Sequence, residues 1–407
     1  MTHAITLLAT AINTVVAIPA AVVTLEIAAA LPASRRAQSI PADRPAVAVL
    51  VPAHDEHDTI TATVTRLLTQ LRRGDRLLVV ADNCSDDTAD LARAAGAEVL
   101  ERHDLVRRGK GYALDAGRSL LAEDPRPVLI IVDADVRLAD GTLDRLAATA
   151  ADTGRPTQGV YLMRQAEGGH QNPISMLAFQ VRNFVRPLGL LRLGGPSPLF
   201  GAGMAFPWDV IKSAPLASPH LTEDVALALD LAAAGHAPIL CPDALIEGDS
   251  APTLAASAKQ RKRWEHGHLS LITSAAPKTL LAGLRRCHPA AVALALDVMV
   301  PPLSLLVMLV TLSAAATWAT AAVGVIPFAA AALPTAATAC LLTAIVVASL
   351  RFSPADRRGR QLVAMAKYAA GKLPIYATFF LRRQKTWERT DRAPVPTSEP
   401  TESRKVA

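Results

Sequence analysis

The sequence predicts an α/β fold: a mostly parallel sheet with helices on both faces, inserted between helices that cross a membrane. Three observations carry this expectation. Strand-like and helix-like runs alternate from 46 to 135. Apolar residues collect in blocks, at 4–31 and within 298–350. Carboxylates recur where the first strands should end.

The alternation reads in order. "AVAVLVPAH" (46–54) is a short β-rich run closing in a polar turn. In 59–73, Ile60, Val64, Leu67, Leu68 and Leu71 fall on one helical side. "RLLVVAD" (76–82) is a second strand. The stretch 86–96 reads as a helix, with Asp at its start and Gly at its end. "AEVLER" is a third strand, "GKGYALDAGRSLLAE" a further helix, and "PVLIIVDAD" (127–135) a strongly apolar, buried strand.

Of the 407 residues, 51% are hydrophobic and 19% charged, against about 25% charged in ordinary soluble domains. The block 4–31 has one charge, Glu26, and 298–350 has no Asp, Glu, Lys, Arg or His. A spanning helix takes about 20 apolar residues, so the first block holds one span and the second two. A cleaved signal peptide fits 4–31 poorly, because the stretch is too long and lacks a basic start. Arg35, Arg36, Arg285, Arg286, Arg351, Arg357, Arg358 and Arg360 flank the spans on one side. By the positive-inside rule, 33–288 then faces the cytosol. The net charge of +6 is mostly this flanking charge. It suits an anionic bilayer rather than nucleic acid, since no basic stripe with interleaved aromatics occurs. Cys84, Cys241, Cys287 and Cys340 form no CxxC pair, which argues against a zinc site or a disulfide framework.

Open α/β sheets bind ligands beyond the carboxyl ends of their strands. His54, Asp55 and Glu56 fall there, as do Asp82, Asn83, Ser85, Asp86 and Asp87, and then Asp133 and Asp135. No GxGxxG follows the first strand and no GxxxxGK[ST] occurs, which disfavours dinucleotide and P-loop readings. Two Asp at DxD spacing after a buried strand suit Mg²⁺ or Mn²⁺, hard cations that prefer oxygen ligands and bridge to phosphates. The same pair could simply terminate the strand. "QRKRWEHGH" (260–268) admits an amphipathic surface helix with its Trp at the bilayer interface.

With these motifs in place, the chain resembles membrane-anchored family 2 glycosyltransferases of the GT-A fold, over roughly 46–387. "VPAHDE" resembles the family's opening strand and loop. "VVADNCSDDT" resembles its acidic nucleotide-binding segment, although Ala81 stands for the first acid and Asn83 for the usual glycine. "RRGKGYALD", "DADVRL", "LTEDVALALDLAAAGH" and "QRKRW" follow in the family's order. Cellulose, hyaluronan and poly-N-acetylglucosamine synthases share this set, as does ceramide glucosyltransferase. The resemblance implies a GT-A (nucleotide-diphospho-sugar transferase) Rossmann-like domain. It implies Asp82, Lys110, Asp133 and Glu56 at the nucleotide sugar and Asp135 on Mg²⁺ or Mn²⁺. Gln260, Arg263 and Trp264 fall at the acceptor or diphosphate, Asp224 becomes the base, and Glu223 its close alternative.

Family 2 enzymes invert, so the resemblance implies one displacement at the anomeric carbon. The alternative to the base role is that Thr222, Glu223 and Asp224 only cap the helix they open. "LFGAGMAF" (199–206) reads as an acceptor-pocket floor or as a plain turn. His266 and His268, two apart on a helix, face different ways and are expected to be structural. The expected division is an N-terminal transmembrane helix (1–32), a cytosolic catalytic domain (33–288) and two transmembrane helices (289–350). An interfacial amphipathic helix or fourth span (351–390) and a disordered tail (391–407) complete it. The expected partners are a nucleotide-sugar donor (a UDP-sugar), a glycan or lipid acceptor, the lipid bilayer and an export partner protein. The leading expectation is a transferase building a surface polysaccharide. Single-step glycosylation of a membrane lipid is the second, and a catalytically inactive scaffold or transport subunit the third.

Overall fold

The computed structural model describes residues 2–32, 39–164, 173–218, 220–250 and 253–354. Arg35, Arg36, Arg357, Arg358, Arg360, most of the expected segment 351–390, and the tail lie outside the described residues.

An eight-stranded sheet runs in the order β3-β2-β1-β4-β7-β6-β8-β5. Its strands are β1 (Val47–Ala53), β2 (Arg76–Asp82), β3 (Glu98–Arg102), β4 (Val128–Ile131), β5 (Val136–Leu138), β6 (Thr157–Arg164), β7 (Met204–Pro207) and β8 (Ile239–Asp249). The first four strands are parallel, with Val49 opposite both Leu77 and Ile130. β1 and β4 are continuous apolar runs because helices cover both their faces.

The second half of the sheet departs from the parallel expectation. β7 is antiparallel to β4 and β6, and β5 is antiparallel to β8. The reason is where the chain re-enters. Gly203 N–H donates to Ile131 O (2.9 Å), so β7 begins where β4 ends and has to run back along it.

Helices α1 (Thr2–Ala30), α2 (Ile60–Leu68), α3 (Thr88–Ala94), α4 (Lys110–Leu121), α5 (Thr142–Thr153), α6 (Pro173–Gln180) and α7 (Arg186–Arg192) come first. A π turn, Val181–Val185, joins α6 to α7. Then follow α8 (Trp208–Ile211), α9 (Glu223–Ala233), α10 (Leu254–Thr273), α11 (Ala275–Arg285), α12 (Pro289–Val298), α13 (Leu303–Ala322) and α14 (Ala332–Phe352). Period-two alternation sends Leu50, Leu78 and Leu129 to one face of the sheet, packed with α4 and α9 residues. Val49, Val79 and Ile130 go to the other face, with α2 and α5 residues.

Three helical stretches among the described residues are long and apolar enough to cross a membrane: Thr2–Ala30, Leu303–Ala322 and Phe328–Phe352. α12 is apolar but has only 10 residues. Its Ala291, Leu294 and Val298 join the core cluster of the sheet domain, so the packed α/β unit continues past 288.

α1 packs against α7, α13 and α14. Within that bundle Asn13 Nδ2 donates to Thr317 Oγ1 (3.2 Å), and Ser313 donates to Asn13 Oδ1. At the domain end of α1, Arg186 bonds Glu26 and Asp297, each at 2.5 Å and all three buried. A Cβ on Gly189 would lie 1.8 Å from the Glu26 carbonyl oxygen. Only glycine lets α7 come this close to α1.

Candidate active site

Four segments meet beyond the end of β4. Asp133 follows that strand, and Lys110 opens α4. Lys110 Nζ lies 2.5 Å from Asp133 Oδ1 and 4.0 Å from Glu223 Oε1, and it donates to Gly201 O at 2.9 Å. Gly201 has φ +87, and a Cβ there would stand 3.3 Å from both Asp224 Oδ2 and Lys110 Nζ. The loop "LFGAGMAF" is therefore neither a plain turn nor remote from the chemistry. Its backbone fills the space between the lysine and the carboxylates.

Glu223 and Asp224 are in the first turn of α9. Asp224 Oδ1 accepts from its neighbour Val225 N–H at 2.8 Å. Thr222, at the N-cap, makes no side-chain cap bond, and its hydroxyl is buried without a partner. Capping therefore does not account for the triplet. α10 presses on the same turn, because a Cβ on Gly267 would lie 2.7 Å from Thr222 Cγ2. The glycine of "EHGH" lets the two helices approach this closely.

The QxxRW residues divide between two environments. Arg263 faces Glu223, Asp133, Asp135 and Asp224, which oppose the lowering of its pKa by burial. Gln260 and Trp264 instead line a cavity on the other side of α10. Trp264 packs on Phe179 (ring centroids 5.8 Å), which meets Tyr161 edge-on at 5.5 Å. His266 and His268 are buried. Nε2 of His268 pairs with Val298 O at 2.8 Å, and burial pushes its pKa down to about 3.

Asp82 and Glu56 sit farther along the strand ends. Asp82 Oδ1 is held by Arg102 at 2.6 Å and by Asn83 Nδ2 at 3.1 Å. Asn83 has φ 53, left-handed backbone that asparagine tolerates better than most residues. Asparagine can therefore stand where the family carries glycine. Glu56 is buried, accepts from Thr59 Oγ1 at 3.1 Å and starts α2 through its carbonyl. Asp55, Cys84 and Asp86 cluster nearby, apart from the DxD. Asp55 accepts from Ser85 N–H and Asp86 from Thr88 N–H, and burial raises the Cys84 thiol. Those acids hold loops, and a protonated thiol is a poor metal ligand.

Burial, then the neighbouring Asp133, pushes the Asp135 carboxyl up to about 6. Burial and Asp224 push Glu223 up to about 7, and burial raises Asp224 as well. Burial pulls Lys110 down, but Asp133 and Glu223 outweigh it and hold the ammonium above its ordinary value. The cluster is thus crowded with negative charge despite Lys110 and Arg263. Paired aspartates offering only oxygen, one resisting ionisation beside the other, fit a hard divalent cation.

Such raised values fix a sign. A carboxyl with a raised folded pKa binds a proton more tightly when folded. Stability then falls as pH rises from the unfolded value toward the folded one. The Asp135, Glu223 and Asp224 carboxyls therefore contribute less stability to the metal-free protein at pH 8 than at pH 5, while buried, neutral His268 works in the opposite direction below about 6.5. Glu223→Gln should flatten that dependence between about 4.5 and 7. Thermal scans of both forms across this range check it, and parallel profiles would remove Glu223 as a contributor.

Tertiary packing adds residues with no motif around them. Arg182, on the π turn, sits over the Phe200 ring at 6.0 Å. Its pKa is lowered by burial and opposed by Asp224. Tyr161 is held above its usual value by burial and by Asp135, Asp133 and Asp224. Gln158 accepts from Phe200 N–H (2.8 Å) and donates to Ala202 O (2.9 Å), tying down the Gly201 loop. A lone Gln or Tyr within a strand, or an Arg on a π turn, gives no spacing signal of a site.

The parallel half-sheet, the DxD beyond its central strand and the mixed second half define a GT-A fold. A profile of glycosyltransferase-like family 2 matches residues 45–267, and the chain belongs to that family. An uncharacterized glycosyltransferase of Mycobacterium tuberculosis is 31% identical over 190 residues, covering 41% of this chain and 83% of the relative. A probable glycosyltransferase of Bacillus subtilis, YdaM, is 34% identical over 103 residues, 22% of this chain and 23% of that one. A mannosyltransferase from Pyrobaculum calidifontis, solved with GDP-Man and Mn²⁺, aligns at TM-score 0.52 with 19% identity. The alignment covers 91% of this chain and 98% of the other. At that identity the likeness concerns the fold.

Proposed function

We propose that the protein is an inverting, membrane-bound glycosyltransferase that moves a sugar from a nucleotide sugar to a glycan or lipid acceptor. The observation that carries this reading is the convergence of Lys110, Asp133 and Asp224 around Gly201. It supports a reading in which a cation, a DxD carboxylate and a candidate base serve one reacting centre.

In this reading the nucleotide lies along the strand ends past Asp82 and Glu56, with its diphosphate toward Asp133. Asp135 and Asp133 would hold a divalent ion, which would supply Lewis-acid stabilisation to the diphosphate. Lys110 and Arg263 add fixed positive charge beside the leaving group. Asp224, whose carboxyl burial raises above the ordinary aspartate value, takes the acceptor hydroxyl proton. The acceptor oxygen bonds to the anomeric carbon as the bond to the diphosphate oxygen breaks, inverting the centre. Glu223, nearer Lys110, tunes this pair and stands as the alternative base.

The mannosyltransferase with GDP-Man and Mn²⁺ supports a nucleotide sugar and a divalent ion here. The apolar helices Thr2–Ala30, Leu303–Ala322 and Phe328–Phe352 support a membrane setting. The arginine bias supports a cytosolic catalytic domain with access to nucleotide sugars.

The test is turnover with a panel of labelled nucleotide sugars, with and without Mn²⁺ or Mg²⁺. Asp135→Ala should abolish the divalent-dependent activity and weaken Mn²⁺ binding followed by electron paramagnetic resonance. A variant with wild-type turnover and metal response would remove Asp135 from the metal site.

A further inference from the structure

A cavity open to solvent lies between α6, the π turn, α10 and the start of α13. Three elements build it. α6 and the π turn give Met176, Phe179 and Arg182, and α10 gives Gln260 and Trp264. The third wall is the linker 300–304 with Leu303, the first residue of α13. One end is therefore at the root of a candidate membrane helix. At the other end Arg182 lies close enough to Asp224 for each to affect the other's ionisation.

We propose that this cavity holds the hydrocarbon part of a membrane-lipid acceptor, whose oxygen-bearing head reaches Asp224 past Arg182. The proposal rests on the transferase reading above and narrows its acceptor to a lipid. Its first support is the lining. Met163, Met176, Phe179, Val300, Pro301 and Leu303 give one wall apolar side chains, while Ser175, Ser257, Gln260 and Arg182 supply polar groups elsewhere on the lining. Hydroxyls set against that apolar wall would lack partners, which is unfavourable, whereas an acyl or prenyl chain has none to satisfy.

Continuity is the second support. A lipid in the bilayer beside α13 enters at the linker without crossing water, because that wall and the span are consecutive residues.

The third support is how charge is distributed on the π turn and α7. Arg186 is fully committed to Glu26 and Asp297. Arg182, one turn earlier, has no ion-pair partner among the described residues, and it lines the cavity with its guanidinium over the Phe200 ring. Arg261, also on the lining, donates to Ser175 Oγ at 3.1 Å. Glu265 and the neutral His268 lie deeper on the same face of α10. Arg182 is thus the cation left to meet the oxygens of an acceptor head, between the apolar tunnel and the base. Gln260 supplies an amide at the same depth, and Trp264 a flat apolar wall.

The experiment uses the full chain in nanodiscs containing a phospholipid with a diazirine at its acyl end. After irradiation, peptide mapping should find label on cavity residues such as Met176, Phe179 and Leu303. It should also find label on the outward Leu312, which is 68% exposed. Ala178→Trp from the α6 wall and Ser257→Phe from the α10 wall fill the cavity from opposite sides. Each should lower cavity label at least fivefold while label at Leu312 persists, and binding of the nucleoside diphosphate reports that the fold is intact. Absence of cavity label in the wild type overturns the proposal, as it would if residues 355–407 or a second copy occupied the space.

A second arm supplies labelled nucleotide sugars to nanodiscs of total polar lipid. Label should move to the organic phase, and each filling variant should cut that transfer at least tenfold. Label in a water-soluble polymer instead would overturn the lipid acceptor while leaving the transferase reading standing. No release of nucleoside diphosphate with any donor would overturn the transferase reading itself.

Discussion

Asp224→Asn is expected to lower sugar transfer by about 10² to 10⁴-fold, the contribution of a positioned general base, with little change in nucleotide binding. The substitution keeps the shape of the side chain and its contact with Val225 N–H, and removes the proton acceptor. Loss should appear in kcat rather than KM, as for a group acting only in the transition state. Trp264→Ala should fail differently. Its ring stands on Phe179 and lines the cavity, away from the Arg263 side of α10. Acceptor use should suffer while donor affinity holds. Donor binding measured beside acceptor-dependent turnover separates the two. Equal loss of donor binding in both would mean that α9 and α10 do not serve separate substrates. If Trp264 served only to anchor the helix at the bilayer surface, Trp264→Ala would keep its turnover and lose membrane association.

Arg186→Ala should be the most destabilising single substitution outside the carboxylate cluster. It strips Glu26 and Asp297 of the guanidinium that both use, and all three groups are buried. Breaking a buried ion pair by removing one partner costs about 3–5 kcal/mol, because a charge is left uncompensated. The loss should show as a lower thermal midpoint and as easier proteolysis between α1 and the α/β domain. Replacing Glu26 and Asp297 together by Gln and Asn, with Arg186→Met, should recover much of it. Removing the charges jointly spares their desolvation. A wild-type melting curve for Arg186→Ala alone would show that the triad is not what fastens α1.

Period and spacing made much of this visible beforehand. "VAVLV" and "VLII" are apolar on both faces, and a strand has that pattern only when helices cover both sides of its sheet. The DxD after Ile131, the TED at the start of α9 and QxxRW on α10 are local in sequence, so each can be read with no knowledge of its neighbours. The half-sheet β7-β6-β8-β5 was not legible. Its strands pair across long excursions, and their direction depends on where the chain re-enters the sheet.

By itself, the sequence determined the α/β class, the lengths of the apolar helices and the order of the motifs, because each rests on interactions among near neighbours. Only the tertiary structure decided which side of α10 each motif residue serves. Arg263 and Trp264 are adjacent in sequence, and consecutive residues on a helix point about 100° apart. One therefore reaches the carboxylates and the other the cavity. Tertiary structure also decided that Glu26, the lone charge in an apolar helix, meets Arg186 and Asp297. Arg186 lies 160 residues from Glu26 and 111 from Asp297 along the chain, and no local pattern encodes a contact at that separation. The π turn that leaves Arg182 uncommitted and Arg186 clamped is the same kind of fact, fixed by packing between α1, α7 and α12.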